Sequence, residues 1–212
     1  MPVFFLFDAQ TLLSRDTIQF SDGNLAAANP NVGTDAAFLE SIPFEKVYHD
    51  GPLADPEKRK IIYHRHAEVL VRDELDLDAL KWIVCRSGAE LRTLRQLLSV
   101  KIWNKQLRRV KKVQQLFFQR WAFVEMAELE QQTVTIQFNR NSITPGPFVA
   151  FLEIKNLETG DKYHWKNDAY LANDVLTVRI PQLANPTPYE AILTLDGAIA
   201  YADTFELESI PF

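Results

Sequence analysis

The second half of the chain alternates between apolar and polar residues. Thr133–Phe138 alternates cleanly, which is typical of a strand with one buried face. Turn signals such as Thr159-Gly160-Asp161 and Asp196-Gly197 separate further runs of this kind. We therefore predict a small all-β, sandwich-like domain over residues 131–212. Its other predicted strands are Phe148–Ile154, Lys162–Lys166, Val175–Ile180, Ala191–Leu195 and Thr204–Leu207.

The first hundred residues show a mixed pattern of short elements. The uninterrupted apolar run Val3–Phe7 predicts a buried strand, and Asp8 is placed to cap a short helix from Ala9 to Ser14. Thr34 is a candidate cap for a helix that ends near Leu39. The pattern predicts an α+β domain over residues 1–100, with further strands at Ile18–Phe20, Val69–Val71 and Trp82–Cys85.

The clearest helix signal follows Cys85. Ser87 with Glu90 three residues later forms a capping box, and it opens a predicted helix from Gly88 to Leu98. Leu91, Leu94, Leu97 and Leu98 recur at helical spacing, which predicts a core-facing stripe. The basic segment that follows has no clear period, so we predict a linker over residues 101–130.

Composition is that of a chain with a packed core, since 47% of its residues are hydrophobic and 11% aromatic. The one cysteine, Cys85, excludes an internal disulfide and fits a reducing compartment. No signal peptide and no apolar run of membrane-spanning length is visible. We therefore expect a cytoplasmic protein.

Charge is distributed unevenly along the chain. Residues 58–120 carry 16 basic and 6 acidic side chains, whereas residues 1–57 carry 2 and 9, and residues 121–212 carry 5 and 13. A basic middle between acidic flanks indicates a local surface that binds anions such as nucleic acid. The alternative is an ordinary solvated helix face.

The stretch Tyr63–Val71 carries the best candidate for chemistry. Glu68 opens an apolar, strand-like run directly after the basic residues Lys58, Arg59, Lys60 and Arg65. An acid at the mouth of a strand and facing basic residues is a place where chemistry on an anionic substrate can occur. The alternative is a strand-edge glutamate that pairs with Arg65 or Arg72.

Several neighbours of Glu68 are candidate substrate contacts. On a strand, His64 and His66 share one face and form a His-x-His pair, but no third metal ligand is evident, so we predict no metal site. Tyr63 stacks on a base or packs in the core. The basic residues near Glu68 hold phosphates or form a solvated loop. Asp22 and Asn24 contact substrate or only shape a turn.

These motifs together resemble the DarT family of DNA ADP-ribosyltransferases, the toxins of toxin–antitoxin pairs. Ala67–Val71 is similar to the family's A-E-[FV]-L-V catalytic-glutamate segment, and Ser21–Ala26 to its T/S-D-G-N-A segment. Ile42–Asp50 resembles the region that leads into the loop before the catalytic glutamate. The resemblance spans residues 2–98, in matching order and spacing.

The resemblance implies a fold, a reaction and partners. The fold is part of an ADP-ribosyltransferase-like split β-sheet, and the reaction moves ADP-ribose from NAD, as substrate, to a base of single-stranded DNA. Glu68 is implied to bind the nicotinamide ribose and to stabilise its developing positive charge. A macrodomain antitoxin is an implied partner.

The segment that Val3–Phe7 matches lies in the middle of the family's domain. We therefore expect this chain to correspond to the C-terminal half of such an enzyme, with the NAD-binding histidine and the catalytic arginine upstream. The alternative function is a non-catalytic module, derived from such an enzyme, that binds nucleic acid or protein.

Overall fold

The computed structural model describes residues 2–53, 56–72, 74–98, 101–110, 117, 121–184 and 187–207. Contacts divide the chain into two units. The first, Phe7–Leu80, is called the N-terminal unit. The second comprises Met1–Leu6 and Lys81–Phe212 and is called the sandwich unit.

The N-terminal unit consists of short helices around a small antiparallel sheet. The central strand β2 pairs with β3 on one side and with β4 on the other. The elements are α1 Ala9–Leu13, β2 Ile18–Ser21, β3 Val32–Gly33, α2 Ala36–Ser41, α3 Phe44–Val47, α4 Lys58–His64 and β4 Val69–Val71. The predicted elements Ala9–Ser14, Ile18–Phe20 and Val69–Val71 are confirmed to within a residue or two.

Side-chain caps explain where the first two helices begin. The Asp8 carboxylate accepts a hydrogen bond from the Thr11 amide at 3.0 Å, as predicted. The second cap is Asp35, whose carboxylate accepts from the Phe38 amide at 2.8 Å, so the prediction of Thr34 was wrong by one residue. Ile18, Phe20 and Ile42 form the buried centre of this unit.

Two helices of the N-terminal unit were not predicted, α3 and α4. Ile61 is the one buried residue that α4 contains, so the helix lacks the apolar stripe that sequence reading relies on. Its first turn is also basic, which opposes the helix dipole. Tertiary packing, rather than local preference, stabilises this helix.

The sandwich unit contains a parallel strand pair joined by a helix. Strand β5, Leu80–Cys85, leads into α5, Gly88–Leu97, and a short 3-10 helix, Lys101–Lys105, leads into β6, Leu107–Arg109. β5 pairs in parallel with β6 and lies beside β1, Phe4–Phe7. A parallel pair needs a crossover connection, and α5 supplies it.

The remaining strands form a sandwich of two antiparallel sheets. One sheet has the order β10-β9-β12-β13 and the other β11-β8-β7. Inner-face residues of both sheets share one core, for example Ile136, Leu152 and Leu193, so the predicted all-β region is confirmed. The strands are β7 Val124–Leu129, β8 Thr133–Phe138, β9 Phe148–Asn156, β10 Lys162–Tyr170, β11 Val175–Arg179, β12 Thr187–Leu195 and β13 Ala198–Leu207.

The described part of segment 101–130, which was predicted to be a linker, contains two strands. Leu107 in β6 is buried and pairs with Ile83, and β7 pairs with β8. A register shift between Val124 and Met126 breaks the alternation of β7, which hid the strand from a period-two reading. Residues 111–116 and 118–120 lie outside the described part of the chain. The predicted domain bounds stay a prediction.

None of the helices in the described ranges has the length and apolar composition that crossing a bilayer requires.

Candidate functional site

Glu68 lies directly before β4, and its side chain is exposed. Its backbone is fixed on both sides by one residue, Ser21. The Glu68 amide donates to the Ser21 hydroxyl at 2.9 Å, and the Glu68 carbonyl accepts from the Ser21 amide at 3.0 Å. Ser21 is only 1% exposed. A buried anchor therefore presents an accessible carboxylate.

Asp22, next to Ser21, is the centre of a hydrogen-bond network. The Tyr63 hydroxyl donates to one carboxylate oxygen at 2.6 Å, and the Asn31 amide donates to the other at 2.9 Å. Burial pushes the pKa of Asp22 upward, but these hydrogen bonds outweigh it and hold the pKa below its ordinary value. The same bond to Asp22 raises the pKa of Tyr63. Asp22 is therefore a structural anion with its carboxylate oxygens engaged.

The loop after Asp22 packs closely on α4. A Cβ atom on Gly23 would lie 2.3 Å from Cε1 of Tyr63, so only glycine permits this approach. The Asn24 amide donates to the Tyr63 carbonyl at 3.0 Å. The Asn24 side-chain oxygen accepts from the Ala26 amide at 2.9 Å, which shapes the turn.

His64 and His66 do not share a strand face, because His64 is the last residue of α4. His64 Nδ1 lies 2.6 Å from the Asp22 carbonyl oxygen, so this nitrogen donates. His66 Nδ1 lies 2.8 Å from the Ile62 carbonyl oxygen in the same way. Within the described ranges, no group of three or more His, Cys, Asp or Glu side chains is placed to hold a metal ion.

The basic candidates lie at the two ends of α4. Lys58, Arg59 and Lys60 form its first turn and are exposed, and Lys60 Nζ lies 3.6 Å from a Glu57 carboxylate oxygen. Arg65 caps the other end, and its Nε donates to the His49 carbonyl at 2.8 Å. An exposed cluster of this kind can contact phosphates.

The fold thus brings together five of the predicted site residues: Asp22, Asn24, Tyr63, His64 and Glu68. Sequence reasoning did not single out Ser21 or Asn31 as part of the network. Ser21 stands in the motif that carried the resemblance, directly after a predicted strand, and this position was the available signal. Asn31 gave none beyond its place in an Asn-Pro-Asn loop.

No curated protein matches the chain. Similar solved structures include the sensor domain of the anti-sigma factor RsgI4 of Pseudobacteroides cellulosolvens. It is 12% identical, covers 42% of this chain and 94% of its own, and has a TM-score of 0.32.

A DUF3244 family protein with an immunoglobulin-like β-sandwich fold, from Bacteroides vulgatus, is 15% identical. It covers 39% of this chain and 82% of its own, with a TM-score of 0.28. The FN5 domain of Drosophila Lar is 12% identical and covers 41% of this chain and 92% of its own, with a TM-score of 0.28. The sandwich architecture described above rests on the strand pairings and not on these similarities.

The family model described as "DarT: ssDNA thymidine ADP-ribosyltransferase" matches residues 1–118, which is more than half of the chain. The match contains Ser21, Asp22, Tyr63, His64 and Glu68. This chain therefore belongs to the DarT family of single-stranded DNA thymidine ADP-ribosyltransferases.

Proposed function

We propose that this chain takes part in the transfer of ADP-ribose from NAD to a thymidine base of single-stranded DNA, with Glu68 as the catalytic carboxylate. Membership of the DarT family supports the reaction. The observation that carries the assignment of Glu68 is its presentation: an exposed carboxylate on a backbone that buried Ser21 fixes at both the amide and the carbonyl. Because the backbone is already fixed, only the Glu68 side chain has to become ordered when substrate binds.

In the proposed reaction, the bond between nicotinamide and its ribose breaks, and nicotinamide leaves with the bonding electrons. A nitrogen of the thymine base forms the new bond to the same ribose carbon and loses its proton. Positive charge develops on the ribose in the transition state, and the Glu68 carboxylate stabilises it, as in glycoside hydrolysis. The same carboxylate is a candidate acceptor for the proton of the base.

The surrounding residues have supporting roles in this proposal. Asp22, Asn24, Tyr63 and His64 hold the loop beside Glu68, and we propose that substrate binds next to this loop. Lys58, Arg59, Lys60 and Arg65 contact DNA phosphates, which provide affinity without reading sequence. NAD is a substrate that is consumed in this reaction.

We also propose a cellular role and a location for this activity. ADP-ribosylation of the cell's own DNA would make this protein a toxin, and we propose a macrodomain antitoxin as its partner, as the family resemblance implies. Both NAD and DNA are present in the cytoplasm, where we propose that the reaction takes place.

The test uses the full product of the reading frame that contains this chain. It is incubated with NAD labelled in the ADP-ribose part and with single-stranded DNA that contains or lacks thymidine. We expect label on the thymidine strand alone and a loss of at least about 100-fold for Glu68→Gln. Glu40→Gln, at an exposed position of α2, is the matched control and should label normally. Unchanged labelling by Glu68→Gln would contradict the assignment.

A different outcome would favour the non-catalytic alternative. Salt-sensitive binding of single-stranded DNA without any labelling would identify a nucleic-acid-binding module. In that case, charge reversal at Lys58, Arg59 and Lys60 should weaken binding, since these residues form the exposed first turn of α4. Binding that is unchanged by this charge reversal would show that the basic turn does not contact DNA, which both the catalytic proposal and the non-catalytic alternative require.

A further inference from the structure

An exposed aromatic pair lies at the two ends of α3, where Phe44 is the first residue and Tyr48 directly follows the last. The rings of Phe44 and Tyr48 are stacked, with centroids 6.0 Å apart and planes within 14° of parallel. Tyr48 is 77% exposed and Phe44 41%. Large aromatic side chains are usually mostly buried, so an exposed stacked pair is informative.

Two contacts fix the position of Tyr48 beside α4. On one side of it in the chain, Lys46 Nζ lies 3.5 Å from a carboxylate oxygen of Glu57, the residue before α4. On the other side, the His49 carbonyl accepts from Arg65, the residue after α4. The chain on the two sides of Tyr48 thus contacts the residues directly before and after α4. This helix has seven residues and is about 10 Å long.

Charged residues of both signs border this pair: Glu45 and Asp50 are acidic, whereas the first turn of α4 is basic. Lys58 and Arg59 are exposed on the first turn of α4, and neither has an ion-pair partner among the described residues. An aromatic ring beside unpaired cations is the combination with which proteins bind single-stranded nucleic acid. Bases stack on the ring while lysine and arginine contact the backbone.

The other candidate for base stacking is already engaged. The Tyr63 ring lies against Gly23, its hydroxyl donates to Asp22, and its edge contacts the ring of His64 at 4.9 Å between centroids. Tyr48, in contrast, has a contact on one ring face through Phe44 and is otherwise open to solvent.

We propose that Tyr48 is a base-stacking residue for single-stranded DNA, backed by Phe44, with the neighbouring phosphates on Lys58 and Arg59. This proposal rests on the proposed function, because it takes single-stranded DNA as the partner. It adds a binding position outside the Glu68 network. The stack takes a base of any sequence, since every base has an aromatic face.

The test compares two oligonucleotides, one of thymidines and one of the same length without bases, each about twelve nucleotides long. Fluorescence anisotropy measures their dissociation constants with the unchanged protein, Tyr48→Ala and Tyr48→Phe. We expect Tyr48→Ala to weaken thymidine-strand binding about tenfold and to leave abasic-strand binding unchanged. Tyr48→Phe keeps the ring and should bind like the unchanged protein.

Two further variants separate stacking from charge and from general surface effects. Lys58→Ala should weaken binding of both strands and reduce the salt dependence by about one unit of slope. Ile143→Ala, at a 63% exposed position of the sandwich unit, should change neither. Tyr48 is itself so exposed that its truncation should leave the melting temperature of the protein nearly unchanged.

Equal binding of the thymidine strand by Tyr48→Ala and the unchanged protein would overturn this proposal alone. An equal loss on both strands, or a loss for Tyr48→Phe, would also overturn it, because neither result depends on ring stacking. Failure of the unchanged protein to bind any single-stranded DNA would overturn the proposed function as well. Retained labelling that requires Glu68, combined with unaffected Tyr48→Ala, would leave the proposed function intact.

Discussion

Ser21 holds the backbone of Glu68 at both its amide and its carbonyl. The hydroxyl that accepts from the Glu68 amide also donates to the Gly23 carbonyl at 3.0 Å. The pairing of β2 with β4 runs from Ile18 and Val71 to Phe20 and Val69, and the contacts of Ser21 with Glu68 continue it by one residue. The position of the candidate catalytic residue is therefore set by the end of a strand pair and not by a free loop.

Replacement of Ser21 by alanine should affect both stability and activity. The change leaves the Glu68 amide without its partner, which costs about 1–3 kcal/mol in the free energy of unfolding. We expect urea unfolding to show this loss and ADP-ribose labelling to fall under conditions where the protein is still folded. Ser41→Ala, on the exposed end of α2, is the control and should stay within about 0.5 kcal/mol. A Ser21→Ala protein with unchanged stability and labelling would contradict this role.

Gly23 should not tolerate a side chain. The Cβ of alanine would overlap the Tyr63 ring, so we expect Gly23→Ala to lower stability by about 1–3 kcal/mol. Gly51→Ala is the matched control, since its Cβ would meet no atom closer than 3.4 Å. Thermal unfolding of the two variants measures the difference. Equal melting temperatures would mean that the close packing of Gly23 on Tyr63 is absent in solution.

Acid should weaken the Asp22 network. The pKa of Asp22 in the folded protein lies below its ordinary value of 3.8, so the unfolded chain binds a proton more readily. The contribution of Asp22 is therefore fully present above that ordinary value and is lost as the pH falls through the lower, folded pKa. Asp22→Asn should show a smaller loss of stability over this acidic range than the unchanged protein, as followed by circular dichroism. Identical acid profiles would be the contrary result.

Cys85 should report the unfolding of the sandwich unit. The thiol is fully buried, and burial raises its pKa to about 11 from an ordinary 9.0, so very little thiolate forms near neutral pH. We expect a thiol reagent to react slowly with the folded protein and rapidly once urea unfolds it. Rapid reaction without urea would show that β5 opens readily. Free cysteine under the same conditions provides the reference rate.

The local pattern placed several elements correctly, although β1, which was predicted to be buried, exposes Phe4 and Phe5. The alternation of Thr133–Phe138 predicted β8 residue for residue, because one face of that strand is buried and the other is not. The capping box placed the start of α5 correctly, and the Ser87 hydroxyl accepts from the Glu90 amide at 3.0 Å. The turn at Asp196-Gly197 adopts positive φ at both residues, as its composition suggests.

Helix α5 also shows where the hydrophobic pattern stops being informative. Leu97 was expected on the buried face of α5 but is exposed, whereas Glu90 and Thr93 are buried. Glu90 is buried because it pairs with buried Arg86, and Thr93 because its hydroxyl accepts from the Ala202 amide of β13 at 3.0 Å. Ala202 is far from Thr93 in the sequence, and a buried pair of Arg86 and Glu90 is contrary to the hydrophobic pattern. The buried face of α5 is therefore decided by packing.

The sequence by itself determined the fold class, the strands with clean alternation, and the motif that carries the family resemblance, because each depends on residues close together in the chain. Only the tertiary structure decided that Asp22 meets Tyr63 across 41 positions and that Ser21 meets Glu68 across 47. It also decided that His64 ends a helix instead of lying on a strand. These hydrogen bonds join residues that are far apart in the chain. They depend on how the sheet and α4 pack, so a local sequence pattern does not predict them.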